Sequence, residues 1–196
     1  MIAISSESLR SLRPAAPETF DWQGRTVILR PVRPEDAALL RVLATHVAPA
    51  DLGPASAVSL DAASFAAIAT SARADGAPLA FIAVDIDDEG HAEALGVVQA
   101  PVDAGGGAVL AIALRHDVKG RRLGLRLVMK TAEVLRARGA PRIAVHVYAA
   151  NEAMRALLRA LGFVMEPNRG APGRTVYTLD ATRPLQDAPA LSPAAA

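Results

Sequence analysis

One stretch limits what this chain can fold into more than any other: Val109 to Arg138, reading VLAIALRHDVKGRRLGLRLVMKTAEVLRAR. Its opening residues, Val109 to Leu114, form an apolar run too short for a helix of its own and long enough for a buried strand. A polar turn follows, Arg115-His116-Asp117-Val118. Then Lys119-Gly120-Arg121-Arg122-Leu123-Gly124 opens a long segment with apolar residues at Leu123, Leu127, Val128, Thr131, Val134 and Leu135. Spacings of three and four give one apolar face of a helix, which Gly139 and Pro141 end.

A strand that feeds a glycine-bearing turn at the start of a helix makes a site for anions. The first N–H groups of the helix have no partner within it, and the aligned peptide dipoles add positive potential there. Glycine lets a phosphate approach the backbone with no side chain in the way. Lys119, Arg121, Arg122 and Arg126 surround the turn, against Asp117 as the one acid nearby. Such a turn suits a pyrophosphate; a basic helix start exposed to water is the plainer reading of the same residues.

The 196 residues are expected to make one domain with a proper core. Composition is 52% hydrophobic, much of it alanine, with 4% aromatics. Net charge is +1, which argues against a globally basic nucleic-acid binder, since only residues 119–126 are strongly positive. The absence of cysteine excludes a disulfide scaffold, a thiolate zinc site and a cysteine acyl-enzyme, and fits a reducing cytosol. No apolar run reaches the roughly eighteen residues of a membrane span. The N-terminus lacks an uninterrupted apolar core, so no secretory signal is expected.

Residues 1–22 read as a flexible arm, and 183–196, with Pro184, Pro189, Pro193 and a closing run of alanine, as a disordered tail. Gln23-Gly24 reads as a turn before a first strand, Arg25 to Pro31. Pro34-Glu35-Asp36 starts a helix, with proline in the first turn and two acids at the positive end. Ala37, Leu40, Val42, Leu43 and Ala44 form its buried side, and Pro49 ends it. Between Ala50 and Gly76 a helix is expected over Asp61–Ala72, capped by Asp61 or Ser59. Leu79–Ile86 and Glu93–Ala100 read as a hairpin about Asp87-Asp88-Glu89-Gly90. Gly105-Gly106-Gly107 reads as a hairpin loop, because no helix follows it. Beyond the long helix, Arg142–Tyr148 alternates as a strand, Asn151 caps a further helix, and strands follow at Phe163–Glu166 and Thr175–Leu179. The order β-α-α-β-β-β-α-β-α-β-β indicates a mixed sheet with helices on both faces.

Lys119-x-x-Arg122-x-Gly124 resembles the coenzyme A pyrophosphate loop of the GNAT (N-acetyltransferase) superfamily, Gln/Arg-x-x-Gly-x-Gly/Ala. Lys119 stands in for Gln or Arg, and Arg122 stands where the middle glycine is expected. Asn151 followed by Ala156-Leu-Leu-Arg-Ala-Leu-Gly-Phe163 is similar to the superfamily's late helix and its Leu-Gly-Phe ending. The opening Leu29-Arg-Pro-Val-Arg-Pro-Glu-Asp36 looks most like the Pat-type protein lysine acetyltransferases, as does Asp117-x-Lys-Gly-x-x-Leu-Gly124.

The resemblance implies a GNAT fold over 23–182: an α/β (α+β) domain with a mixed, mostly antiparallel twisted sheet of about seven strands and helices on both faces. It implies acetyl-CoA as co-substrate, held by Ile112, Ala113, Leu114, Lys119, Gly120, Arg121, Arg122, Leu123, Gly124, Leu125 and Asn151. A neutral amine would attack the thioester while a backbone N–H at 112–114 polarises the carbonyl oxygen and CoA leaves as a thiolate. The glutamate that often serves as base falls at Val109, and the tyrosine that often serves as acid falls at Leu158. Glu93, His146 and Tyr148 are the candidate substitutes. Each has a plainer reading: an exposed sheet carboxylate, a hydrogen-bonded structural histidine, a packing residue with a wet tip. His116 reads as exposed, and Asn151 also as a simple cap. Four dispersed histidines with no His-x-x-x-His pair argue against a metal site.

The expected activity is acetyl transfer to a primary amine, protein lysine favoured, in the cytoplasm, with no nucleic-acid or membrane partner and a homodimer compatible. The alternative is a GNAT-fold protein that binds acyl-CoA, transfers weakly or not at all, and acts as a regulator or partner.

Overall fold

The computed structural model describes residues 16–47, 64, 67–69, 79–148, 151–167 and 174–183. Its strands are β1 (Glu18–Trp22), β2 (Arg25–Pro31), β3 (Leu79–Ile86), β4 (Ala92–Ala100), β5 (Ala108–Leu114), β6 (Arg142–Tyr148), β7 (Val164–Glu166) and β8 (Arg174–Asp180). Its helices are α1 (Ala37–His46), α2 (Leu123–Ala137) and α3 (Glu152–Ala160). The expected helix over 61–72 lies outside the described residues except for residues 64 and 67–69, which are helical. Its caps at Ser59 and Asp61 lie outside them, as does Pro49.

The strands form one eight-stranded sheet in the order β1-β2-β3-β4-β5-β6-β8-β7. Every neighbouring pair is antiparallel except β5 and β6, which run parallel around α2. Alternation along the strands splits the core in two. Phe81 and Ala83 of β3, Leu110 of β5 and Val145 of β6 pack with Leu127, Leu135 and Leu158 of α2 and α3. Ile82 and Val84, Val97 of β4, and Ala111 and Ala113 of β5 pack with Leu40 and Leu43 of α1 and with Ile68. Helices therefore cover both faces, as expected.

The eighth strand corrects the boundary set for the arm. Glu18, Phe20 and Trp22 alternate inward, and β1 joins β2 through the two-residue turn Gln23-Gly24, both at positive φ. A second correction concerns α1. The first turn after Pro34 is a 3-10 turn, and Asp36 turns back to accept two hydrogen bonds from Arg30, each 2.7 Å, and a third from the Arg33 N–H at 2.7 Å. Asp36 is buried, so the pair welds the end of β2 to the start of the helix. Leu40 and Leu43 are the buried residues of α1, whereas Val42 is 59% exposed, off the face assigned to it.

The seating of α2 is set by Leu114, the last residue of β5. A Cβ added to Gly96 of β4 would lie 2.5 Å from Leu114 Cδ2 and 3.0 Å from the Ala113 carbonyl oxygen. One added to Gly124 would lie 3.1 Å from Leu114 Cδ1. The leucine fills the space that two glycines leave, and α2 drops onto the sheet there. Gly96→Ala is expected to lower stability by about 1–3 kcal/mol through overpacking, read as a fall in the denaturant midpoint; Gly124→Ala should cost less.

Candidate active site

The parallel ladder between β5 and β6 is three residues long: Ala108 with Ile143, Val109 with Ala144, Leu110 with Val145. Beyond it β5 stays with β4 as far as Leu114, and β6 stays with β8 as far as Tyr148. The two strands part, and a wedge opens between 111–114 and 146–148. Val109 N–H donates to the Pro101 carbonyl (3.1 Å) and Arg115 N–H to that of Leu95 (3.0 Å), so odd-numbered residues of β5 address β4. By alternation the backbone groups of Ile112 and Leu114 face the wedge, while Ala113 is turned toward Val97.

The wedge leads to the turn before α2. Val118 is buried and anchors a short 3-10 turn at His116–Val118, then Lys119 extends, and Gly120 takes φ 74°. Arg122 sits in the left-handed region at φ 66°, ψ 2°, immediately before the right-handed residues of α2, and no side chain caps that helix start. A left-handed residue followed by a helical one turns successive N–H groups toward one point, an anion-binding concavity that suits a diphosphate. The side chains of Lys119, Arg121 and Arg122 are exposed. Leu123 is buried and Leu125 half-buried, which leaves their backbone N–H groups as what they present to a ligand. A Cβ at Gly124 would press on Leu114, so its small size serves packing.

The hairpin of β1 and β2 grips this turn, an arrangement the sequence did not announce. Trp22 Nε1 donates to the Arg121 carbonyl at 2.9 Å, and the Arg121 guanidinium donates to Gln23 Oε1 at 3.0 Å. Arg126 reaches Glu18 at 3.2 Å and lies 4.1 Å over the Phe20 ring; Lys130 is 3.5 Å from Glu18. Two of the four cations assigned to the turn are thus partly engaged by the hairpin. The one available signal was the alternation of Glu18, Phe20 and Trp22.

The substitute catalytic groups are not brought to one point. His146 and Tyr148 lie past the end of the ladder on the β6 side of the wedge, both half-buried and sharing a face with Ala144. Glu93 stands elsewhere: its carboxylate accepts from Arg115 at 2.8 Å, and the Arg115 guanidinium also grips Asp117 at 3.0 and 2.8 Å. This ion-pair cluster holds the end of β5. His116 is exposed and its Nδ1 lies 3.1 Å from the His46 carbonyl at the end of α1. Asn151 caps α3, its Oδ1 accepting from Met154 N–H at 3.1 Å. Val109 is half-buried, and Leu158 is fully buried in the core, so neither place offers a titratable group. Gln99, which no sequence motif singled out, is buried opposite Ala111 on the face that also carries His146. On the β3–β4 hairpin, Asp87, Glu89 and His91 bring ligand atoms within 4.8 Å of one another. All three are exposed, and Asp87 Oδ1 already accepts from the Glu89 and His91 N–H groups, the usual business of a turn.

Residues 44–163 match the model of the acetyltransferase (GNAT) family. Solved structures agree in fold. The GNAT domain of S. lividans PAT superposes with a TM-score of 0.67 at 21% identity, covering 84% of this chain and 96% of that one. An acetyltransferase from Thermus thermophilus gives 0.58 at 25% identity over 78% and 96%. The PaiA N-acetyltransferase of Thermoplasma acidophilum, in complex with coenzyme A, gives 0.62 at 14% identity over 79% and 98%. The chain belongs to the GNAT acetyltransferase family, a family whose members include solved complexes with CoA. Among the described residues no helix is long and apolar enough to cross a membrane.

Two features of this corner can be tested through stability. A non-glycine residue in the left-handed region costs free energy, so Arg122→Gly should stabilise the fold by about 1 kcal/mol, net of glycine's extra freedom when unfolded, as measured by chemical denaturation. The hydrogen bonds from Arg115 hold the Asp117 carboxyl below the usual carboxylate range. That contribution is present above the unfolded-state pKa and is lost as pH falls through the lower folded value. Asp117→Asn should therefore be less stable than wild type at neutral pH, with the gap closing in acid.

Proposed function

We propose that this chain transfers an acetyl group from acetyl-CoA to a primary amine, with a protein lysine as the favoured acceptor. The observation that carries the reading is the wedge between β5 and β6 opening onto an uncapped, cation-flanked helix start. The Lys119–Leu125 turn would hold the diphosphate through backbone N–H groups, with Lys119 and Arg122 adding charge, and the backbone of Ile112 and Leu114 would receive the arm that carries the thioester. A backbone N–H of this edge polarises the thioester carbonyl as the amine nitrogen attacks. The C–N bond forms, the C–S bond breaks, and the amine's proton passes to a base while CoA departs as thiolate. His146 and Tyr148, on the β6 side of the wedge, are the groups we assign to proton handling. Glu93, held by Arg115, has the weaker claim. Asn151 joins the cofactor set through its position just past β6. The preference for protein lysine is supported by the Leu29–Asp36 opening, which resembles the Pat type; the setting we assign is the cytoplasm.

A second reading is favoured by Val109 and Leu158, which put apolar side chains at the places where base and acid usually stand. There the protein binds acyl-CoA and transfers slowly or not at all. Calorimetry with acetyl-CoA, then thiol release with a panel of amines and lysine peptides, separates the two. Binding with turnover supports transfer, binding without turnover supports the second reading, and no binding rejects both. In an active enzyme, replacing His146 or Tyr148 should lower kcat about 100-fold if that residue handles the proton, with acetyl-CoA affinity retained. Gly124→Glu should abolish binding, with circular dichroism to confirm that the fold survives.

A further inference from the structure

We infer that Trp22 is a positioning residue for the acyl carrier's diphosphate, acting through the peptide between Arg121 and Arg122; the inference rests on the reading of the turn given above. The peptide is trans, so its C=O and N–H point in opposite directions. Trp22 Nε1 takes the Arg121 carbonyl at 2.9 Å, which fixes the plane of that peptide and turns the Arg122 N–H away from the hairpin. The same orientation is what places Arg122 at φ 66°. Rotating this peptide over would trade the left-handed conformation for an ordinary one, a change any side chain but glycine favours. It would also break the run of convergent N–H groups from Arg122 into α2. One indole hydrogen bond thus selects the strained, ligand-ready state of the turn.

Three further contacts make the hairpin a firm base for that bond. Trp22 is itself buried, Gln23 receives the Arg121 guanidinium at 3.0 Å, and Glu18 with Phe20 holds Arg126 one turn into α2. The indole and the carbonyl it holds are 99 residues apart in sequence. The hairpin therefore couples an edge of the sheet far from the wedge to the geometry of the turn.

The test is a double-mutant cycle. Trp22→Phe keeps a ring in the pocket and removes the donor; it should weaken acetyl-CoA binding in calorimetry about two- to tenfold, the size of one net hydrogen bond. Arg122→Gly is measured alone and in that background: whatever the lost charge costs is common to both, and Trp22→Phe should cost little further affinity once Arg122→Gly is present, because glycine holds positive φ unaided. A role in packing alone would lower Tm and leave the Trp22→Phe loss of affinity the same with and without Arg122→Gly. Should Trp22→Phe fold poorly, benzothienylalanine at position 22, which replaces the indole N–H by sulfur at nearly constant shape, gives the same readout. Unchanged affinity in the donor-less variant, or an equal loss from Trp22→Phe with and without Arg122→Gly, overturns the inference while leaving the diphosphate reading intact. A wild-type chain that does not bind acetyl-CoA overturns both.

Discussion

The fit of Leu114 between two glycines is the constraint on which the rest depends. Because Gly96 and Gly124 have no side chains, the start of α2 lies directly on β4 and β5. That depth decides where the first amides of the helix emerge relative to the free edge of β5. A methyl group at either glycine would lift the helix and shift those amides, since cores as dense as proteins' do not absorb such volume without movement. Packing and chemistry are here the same few atoms. Leu114 belongs to the apolar core through its side chain and to the wedge through its backbone.

Charge is arranged around that fit in two layers. Outermost, Arg126, Lys130 and Arg121 are tied down by Glu18, Phe20 and Gln23, so part of the turn's positive charge serves architecture. Arg115, gripping Glu93 and Asp117, closes the end of β5 in a similar way. The corner itself is mainly backbone: a left-handed residue and a helix start. Backbone N–H groups are worth most where water is thin and the geometry is fixed beforehand.

Much of this was legible in the sequence. The apolar run at 109–114 and the three-and-four spacing after Leu123 gave strand and helix, because period is a local property. The motif resemblance gave the fold family. What stayed hidden is tertiary. Glu18, Phe20 and Trp22 are too few, among polar neighbours, to announce a strand, and their purpose appears only beside a turn a hundred-odd positions away. Val42 was misassigned because a helix rich in Ala, Leu and Val has no sharp phase until its neighbours choose one. Gly124 was read for its nearness to phosphate, while its other neighbour, Leu114, could not be seen. Leu158 and Val109 show a further limit: a resemblance names the place of a catalytic group without supplying one.

The short parallel pairing of β5 and β6 has a consequence for the whole molecule. It makes the eight strands two half-sheets, five on one side and three on the other, joined along a seam of three residue pairs. Anything with peptide-like donors and acceptors that lodges in the gap is stitched to both halves at once. Occupancy and cohesion then become a single quantity, and a ligand there is as much a missing piece of the sheet as a guest upon it.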